Sequence, residues 1–413
     1  MKFYKETEFK ETPIGKIPKK WKITNLGSIA KIYAGNTAPQ DEKYFKNGKY
    51  PFIRVQHLTV LQEQKYPIKY DLINEYAVSD LKLKKFKKGS IIFPKSGESI
   101  RLEKRAILKE DSYVVNHLAV VEPFHENIDN LFLFYYLCTV KTSNYLLKTT
   151  MPSLNLSTIS NFLVPLPPIK EQQTIAEILS TVDKAIQRTD EIIAKTERLK
   201  KALMNELLMG RIRVREEKGK PVFYRETEFQ ETEIGKIPRE WKTVKLKEIL
   251  ILRNGKRPTL SEKGWIPVYG ANGIMGYTTD FLIDNDYTIV IGRVGASGEV
   301  HLVQGKIWVS DNALYSEKFN SSKVFMPFLY YLLKDKKLGR FAHKTTHPII
   351  TQSFLNNLPI QLPSLAEQRI IADILLTIDG AIELYCKEKN TLGRLKKGLM
   401  DVLLTGKIRV VED

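Results

Sequence analysis

Cysteine, histidine and long apolar runs are scarce in this sequence. Its 413 residues include two cysteines, Cys138 and Cys386, too few for a disulfide framework or the usual four-ligand zinc site. The six histidines show no HExxH pattern and no CxxC neighbour, so we expect no metal site. No apolar run could span a bilayer, and the opening MKFYKETEFK is too charged for a secretory signal. We therefore expect a cytoplasmic protein without a membrane segment.

Acidic residues are also in deficit. Lys and Arg number 65 against 47 Asp and Glu, which gives a formal net charge of +18. Such an excess suits a polyanion, because each neutralised phosphate releases counterions and strengthens binding. A lysine-rich solvated surface is the alternative, and charge alone favours neither interpretation.

The same ordered motifs occur twice. FYKETEFKETPIGKIPKKWK (3–22) returns as FYRETEFQETEIGKIPREWK (223–242), LPPIKEQQTIAEILSTVDKAI (166–186) as LPSLAEQRIIADILLTIDGAI (362–382), and RLKKALMNELLMGRIRV (198–214) as RLKKGLMDVLLTGKIRV (394–410). Each half thus contains an opening motif, a variable head and a long helical segment. Since the length also exceeds what one core usually organises, we predict a duplicated α+β protein with a pseudo-twofold internal repeat.

Both helical segments carry the apolar spacing of a coiled coil, alternating between three and four residues. The predicted seam consists of Ile175, Leu179, Val182, Ile186, Leu203 and Leu207 in the first helix, and of Ile371, Leu375, Ile378, Ile382, Leu399 and Leu403 in the second. Lys200 and Lys396 interrupt it, and we expect Leu199 and Leu395 to cover the gaps. Glycines shortly after each helix are expected to end it.

The two helices are predicted to pair with each other in antiparallel orientation. Each spans about 40 residues, or roughly 60 Å, and needs an equal partner to bury its stripe. The link from Gly210 to the second opening motif is only about a dozen residues, reaching at most about 40 Å. The second helix must therefore run back along the first, although a parallel pair with adjacent heads is an alternative. The two chain termini are likewise expected to lie close together, because their counterparts at mid-chain are continuous.

The heads differ in length and sequence. Short apolar runs such as SIIFP and YTIVIG alternate with turn residues, which predicts α+β domains, and each head closes on an aromatic helix, LFLFYYL or MPFLYYLL. The predicted division is 1–165 for the first head, 166–214 for the first long helix, 215–361 for a linker and the second head, and 362–413 for the second long helix and tail. Trp21 and Trp241 are expected to anchor each head to the helix ends.

The IGKIPxxWK openings, the LPPIKEQ and LPSLAEQ helix starts, and the phrases VYGANGIMGY and IGRVGASGEV resemble specificity subunits of type I restriction-modification enzymes. The resemblance covers essentially the whole chain. It implies two target recognition domains joined by antiparallel helices, each reading one half of a split, asymmetric double-stranded DNA target. It also implies two modification (methyltransferase) and two restriction subunits as partners, which would bring S-adenosylmethionine, ATP and Mg. A free-standing nucleic-acid-binding scaffold or regulator is the alternative.

Catalytic motifs are not found. An adenine methyltransferase needs Asn or Asp before two prolines and an aromatic residue, and this chain offers only LPPI. In YTIVIGRVGASGEV the glycine spacing is wrong for a phosphate loop and no GK[ST] follows, so a β-turn is favoured. We therefore expect no catalytic residue, and no cofactor bound by this chain itself.

Candidate DNA contacts are basic and amide side chains in turn-rich parts of the heads, because these match the donors and acceptors of the major groove. They are Arg54, Gln56, His57, Lys95, Arg101, Lys104, Arg105, Asn116, Lys148 and Asn155 in the first head, and Arg253, Lys256, Arg257, Asn272, Arg293, Asn312, His343, Lys344, His347 and Gln352 in the second. Any one of them could instead contact a phosphate or remain a surface charge. TMPSLNL and THPIITQ, at matching places before the helices, could form a shared DNA-contacting loop or pack the head on its helix.

Overall fold

A computed structural model describes residues 2–58, 65–67, 69–146, 152–342 and 349–411. The chain divides into two compact units. Unit 1 comprises Met1–Ile192 with Tyr385–Asp413, and unit 2 comprises Ile193–Leu384. Among the described residues, helices with the length and apolar character needed to cross a membrane do not occur.

The elements follow in chain order. Before the middle of the chain they are β1 (Lys2–Lys5), β2 (Phe9–Lys10), β3 (Ile17–Pro18), β4 (Lys22–Asn25), β5 (Ala30–Ala34), β6 (Tyr50–Ile53), β7 (Asp71–Ile73), α1 (Glu75–Asp80), β8 (Ile91–Pro94), β9 (Ala106–Ile107), β10 (Tyr113–Val114), β11 (Leu118–Pro123), α2 (Asn130–Thr139), α3 (Leu156–Ser160), β12 (Leu163–Leu166) and α4 (Ile169–Leu207). After it come β13 (Ile212–Glu217), β14 (Lys220–Arg225), β15 (Phe229–Thr232), β16 (Gly235–Pro238), β17 (Lys242–Lys245), β18 (Leu250–Asn254), β19 (Ile266–Gly270), β20 (Gly273–Thr278), β21 (Ile283–Gly292), β22 (Val300–Val309), β23 (Ala313–Phe319), α5 (Met326–Asp335), α6 (Gln352–Asn356), β24 (Pro359–Leu362), α7 (Leu365–Leu403) and β25 (Ile408–Val411).

The head of unit 1 is built on a four-stranded sheet of order β5-β11-β8-β9 and a three-stranded sheet of order β10-β6-β7. Successive side chains of a strand point to opposite faces, so the apolar residues of β8 pack into two different cores. Ile91 and Phe93 join the cluster that contains the aromatic side chains of α2, whereas Ile92 joins a second cluster with Phe52 and Val120. The head of unit 1 is therefore α+β, as predicted.

The head of unit 2 is built on one six-stranded sheet of order β18-β23-β21-β22-β19-β20. Ile289 and Ile291 of β21 pack in the core with Phe328 of α5. Val290, between them, faces the other side in a smaller cluster with Tyr315. This sheet therefore has one face packed against helices and a second face with a small apolar cluster.

The long helices α4 and α7 are paired by ion pairs in each unit. In unit 1, Asp183 pairs with Lys396 at 2.6 Å and Asp190 pairs with Lys389 at 2.7 Å. Asp190 lies two turns after Asp183, whereas Lys389 lies two turns before Lys396, so these segments run antiparallel, as predicted.

Residues of the predicted helix seam are removed from solvent, and in each unit part of the seam belongs to the core that also contains head residues. Each seam residue named above is buried or half-buried. The expected covering of its two lysines is wrong, because Leu199 and Leu395 are 53% and 50% exposed. Lys200 and Lys396 are instead accommodated by ion pairs to Asp379 and Asp183 of the other helix.

The two tryptophans anchor the heads, which confirms the sequence interpretation. Trp21 is fully buried and donates from Nε1 to Glu171 of α4 at 3.2 Å. Gly406 follows α7 with a φ of +69°, and a Cβ there would lie 2.4 Å from Pro18 Cγ. A glycine is therefore required both for the turn and for the close packing of the IGKIPxxW motif. Gly210 and Trp241 repeat the arrangement in unit 2.

The termini meet in unit 1. Strand β1 pairs antiparallel with β25, with Lys2 opposite Val411. In unit 2 the corresponding pair, β13 and β14, is a continuous hairpin. The expected proximity of the N- and C-termini is therefore confirmed.

Candidate nucleic-acid interface

Four loops meet at one end of the sheets in unit 1, and we call residues 35–37, 95–98, 115–117 and 152–155 the loop end of unit 1. Backbone hydrogen bonds join them. Asn116 N donates to Asn36 O at 2.7 Å, and Lys95 N donates to His117 O at 2.9 Å. Gly97 N donates to Pro152 O at 2.8 Å. These bonds hold loops that are far apart in sequence in one fixed arrangement.

Unit 2 has an equivalent loop end, formed by residues 255–257, 292–298, 310–312 and 349–352. Lys256 N donates to Val309 O and Arg293 N to Asn312 O, both at 2.9 Å. Ile350 N donates to Arg293 O at 3.0 Å. Two heads with different sequences therefore present four loops through the same kind of backbone framework.

Glycine allows the first loop of each set to cross the strand ends closely. A Cβ at Gly35 would lie 2.2 Å from Val115 O, and one at Gly255 would lie 2.1 Å from Ser310 O. Sequence reasoning missed both residues. A signal was present, because Gly35 follows Leu26 by nine residues and Gly255 follows Leu246 by the same nine.

Nine of the sequence candidates lie at or directly beside the loop ends. They are Lys95, Asn116 and Asn155 in unit 1, and Lys256, Arg257, Asn272, Arg293, Asn312 and Gln352 in unit 2. Lys95, Arg293 and Gln352 are half-buried, and the others are exposed. Gln352 also has a structural task, since its Nε2 donates to Leu252 O at 2.7 Å. The loops before helices α3 and α6 thus both join the loop ends and pack within the heads.

Five candidates lie elsewhere on the heads. Arg54 pairs with Asp71 at 2.6 Å, and Gln56 is exposed nearby. Arg101 pairs with Glu98 at 3.0 Å, and Arg253 pairs with Glu317 at 3.1 Å. Lys104 is half-buried. Lys148, His343, Lys344 and His347 lie outside the described residues.

Two candidates are corrected by their burial. Arg105 is 1% exposed and donates to Glu103, Val140 and Thr142, so its guanidinium is committed inside the head. His57 is 4% exposed, and its Nδ1 accepts from Arg54 N at 3.0 Å. Burial lowers the pKa of His57, although Asp71 partly opposes this. Neither side chain is placed to contact a base.

The chemistry of the loop ends is that of recognition. Amide and basic side chains present donors and acceptors at a fixed framework, which suits base edges and phosphates. Across the part of the chain that the structure describes, clusters of three or more His, Cys, Asp or Glu side chains suited to a metal ion are not found.

Comparison with known proteins decides the family. The description "Type I restriction modification DNA specificity domain" matches residues 18–198 and 238–394, one copy in each half. The chain belongs to this family. The type I specificity subunit is a non-catalytic part of its complex, so the chain is not an enzyme by itself. The resemblance drawn from the repeated motifs is confirmed.

Known specificity subunits match over the full length. The chain is 31% identical to the type I restriction enzyme MjaVIII specificity subunit of Methanocaldococcus jannaschii, covering 99% of this chain and 98% of the relative. Its fold is similar to that of the S subunit of a type I restriction-modification system from M. genitalium, with a TM-score of 0.61, 17% identity and coverage of 93% and 96%. A second structure, from a study of assembly of the type I R-M system, gives a TM-score of 0.53 at 18% identity and covers 95% of this chain and 99% of that chain.

Proposed function

We propose that this specificity subunit reads a split, asymmetric double-stranded DNA target, with one half-site for each head, and directs methyltransferase and restriction subunits to it. The observation that carries the proposal is the pair of loop ends. Both units build the same four-loop framework, yet polar residues at equivalent places on it differ, for example exposed His117 in unit 1 and exposed Asn312 in unit 2, whose carbonyls accept from Lys95 N and Arg293 N. One framework with two sets of reading groups suits two different half-sites.

We assign the reading surface to the two heads, residues 1–165 and 215–361. Asn and Gln match adenine, and Arg and Lys match guanine, so the exposed amide and basic residues of the loop ends are the base-reading or phosphate-binding groups. The net charge of +18 is compatible with DNA as the ligand, although it does not by itself select it.

We assign partner docking to the long helices. Their outer surfaces carry exposed apolar side chains, namely Ile192, Leu199, Leu376, Leu384 and Leu395. Apolar side chains exposed on helices suit coverage by protein partners. Two methyltransferase and two restriction subunits would fit the duplicated scaffold, and S-adenosylmethionine, ATP and Mg would enter with them.

Mapping N6-methylated adenines in the host genome, with and without this chain, tests the proposal. We expect a split motif that disappears when the chain is deleted. Replacing the first head with that of another specificity subunit should change one half of the motif only. Change in both halves would contradict independent heads. Purification of the chain without a methyltransferase companion, together with an unchanged methylation map, would favour the regulator instead.

A further inference from the structure

The hairpin formed by β19 and β20 in unit 2 exposes an apolar strip. β20 lies at the edge of the six-stranded sheet, and its Ile274, Met275 and Tyr277 are 52%, 49% and 49% exposed. Large apolar side chains side by side in water mark a binding surface more often than isolated ones do. We call these three residues the apolar strip.

The strip begins beside the loop end of unit 2. The turn between β19 and β20 holds Ala271 and Asn272, and Ala271 O would lie 2.6 Å from a Cβ at Gly292. This close approach fixes the turn against the loop that carries Arg293. Exposed Asn272 therefore stands at the boundary between the polar loop end and the apolar strip.

Strand register determines which side chains of the strip act together. Tyr269 pairs with Ile274 and Pro267 pairs with Tyr277, so Ile274 and Tyr277 project from the same face of the sheet. On the opposite face, the Leu260 side chain occupies the space beside Gly276. Met275 is the extra residue of a β-bulge, which turns a side chain outward at a sheet edge.

The charge beside the strip favours DNA as its occupant. The loop leading to β19 carries exposed Lys256, Arg257 and Lys263 against a single acidic residue, Glu262. A protein-docking patch of this size is not expected to need a basic border, whereas a surface laid on DNA needs phosphate contacts around its base-reading centre. In the major groove, the thymine methyl is the group that apolar side chains recognise, and asparagine matches the adenine of the same pair.

We propose that unit 2 reads A·T pairs by this combination. Ile274 and Met275 contact thymine methyl groups, Tyr277 extends the apolar wall, and Asn272 faces the neighbouring adenine. This inference rests on the proposed function and adds to it the base chemistry of one half-site. The topologically matching edge strand of unit 1, β7, differs: it exposes Leu72 at 45%, but the preceding Asp71 forms an ion pair with Arg54.

The test compares thymine with deoxyuridine, which lacks only the methyl group. The full chain, in the complex with which it purifies, first selects its preferred duplex from a random pool. Head replacement then identifies the half-site that depends on unit 2. Deoxyuridine in that half-site should weaken binding about fourfold for each methyl group contacted. The double variant Ile274→Ser, Met275→Ser should bind both duplexes equally.

Phe281→Ser is the matched control. Phe281 is 50% exposed in the same head, but it follows the end of β20 that is remote from the Asn272 turn. This variant should keep the full preference for thymine. The inference is overturned if the double variant keeps the full preference for thymine over deoxyuridine, or if the wild type shows no such preference. In either case a selected duplex would still support the proposed function. Loss of a protein companion by the double variant, with thymine preference intact, would identify the strip as a protein-docking surface. Failure to select any duplex would count against the proposed function itself.

Discussion

Arg409 donates two hydrogen bonds to Glu171, from Nε to Oε1 at 2.7 Å and from Nη2 to Oε2 at 2.8 Å, although 238 residues separate them. Glu6 accepts a third bond from the same guanidinium at 2.6 Å. Burial, the largest influence, lowers the pKa of Arg409, but the hydrogen bonds and charge of Glu171, together with the hydrogen bond of Glu6, outweigh it, so the pKa of Arg409 is raised. The segment that follows α7 thus packs in unit 1 against both the N-terminal segment and the start of α4. Arg213 and Glu367 form the same contact in unit 2.

Circular permutation should therefore preserve the fold. The permuted chain is opened at Gly219, in the turn between β13 and β14, and its present termini are joined. The β1–β25 pair then becomes a continuous hairpin, and the β13–β14 hairpin becomes a pair of separate strands. We expect a cooperative thermal transition close to that of the wild type. An unfolded product would show that the β13–β14 hairpin must be continuous, in contrast to its counterpart at the termini.

The ion pair between Lys396 and Asp183 should contribute more to the free energy of unfolding than the neighbouring pair between Lys389 and Asp190. Its side chains are 12% and 14% exposed, and Tyr135 also donates to Asp183 at 2.6 Å. Lys396→Ala leaves a buried carboxylate without its cation, and we expect a loss of about 3 kcal/mol in the free energy of unfolding. Lys389→Ala is the control, because the pair with Asp190 is about one-third exposed and should cost about 0.5 kcal/mol. Urea denaturation of the two variants measures the difference, and equal losses would contradict it.

Gly255→Ala should weaken DNA binding through the loop end of unit 2. The new Cβ would lie 2.1 Å from Ser310 O, so the backbone that carries Lys256 and Arg257 must shift. We expect about tenfold weaker binding to the half-site of unit 2, because a displaced loop loses one or two contacts. The affinity for labelled duplexes, in which each half-site is altered in turn, can be measured by fluorescence anisotropy. Gly380→Ala, on α7 where nothing lies within 4 Å, should leave binding unchanged, and a similar loss there would point to a general effect.

The stability of unit 1 should depend on pH through His57. Burial, the largest influence, lowers its pKa below the usual 6.5, so the folded head favours the neutral ring. The stability contributed by neutral His57 is present above about pH 6.5 and is lost as the pH falls through the lowered pKa. We expect melting temperature to fall less steeply from pH 7 to pH 5 in His57→Gln than in the wild type. Exposed His125→Gln should keep the wild-type slope, and identical slopes in all three proteins would refute this role.

Local pattern in the sequence was enough to predict the scaffold. The three-and-four spacing of apolar residues is a matter of helix periodicity, which is visible in one stretch of chain, and the repeated motifs are visible by comparing two stretches. The antiparallel order followed from a short link, because chain length limits how far the second half can begin from the first.

Tertiary structure alone decided which polar residues face outward. Arg105 and Asn116 are close in sequence and both suit DNA contact by residue type, yet Arg105 is enclosed by Glu103 and Thr142 while Asn116 is exposed at the loop end. The loop ends join segments that are distant in sequence. So do the ion pairs of Lys200 with Asp379 and of Lys396 with Asp183, and the hydrogen bonds of Arg409 to Glu171. Such contacts depend on which segments lie side by side after folding, and this cannot be inferred from residue type. The sequence by itself therefore determined the repeat and its long helices, whereas folding decided which side chains form the surfaces that we propose read DNA.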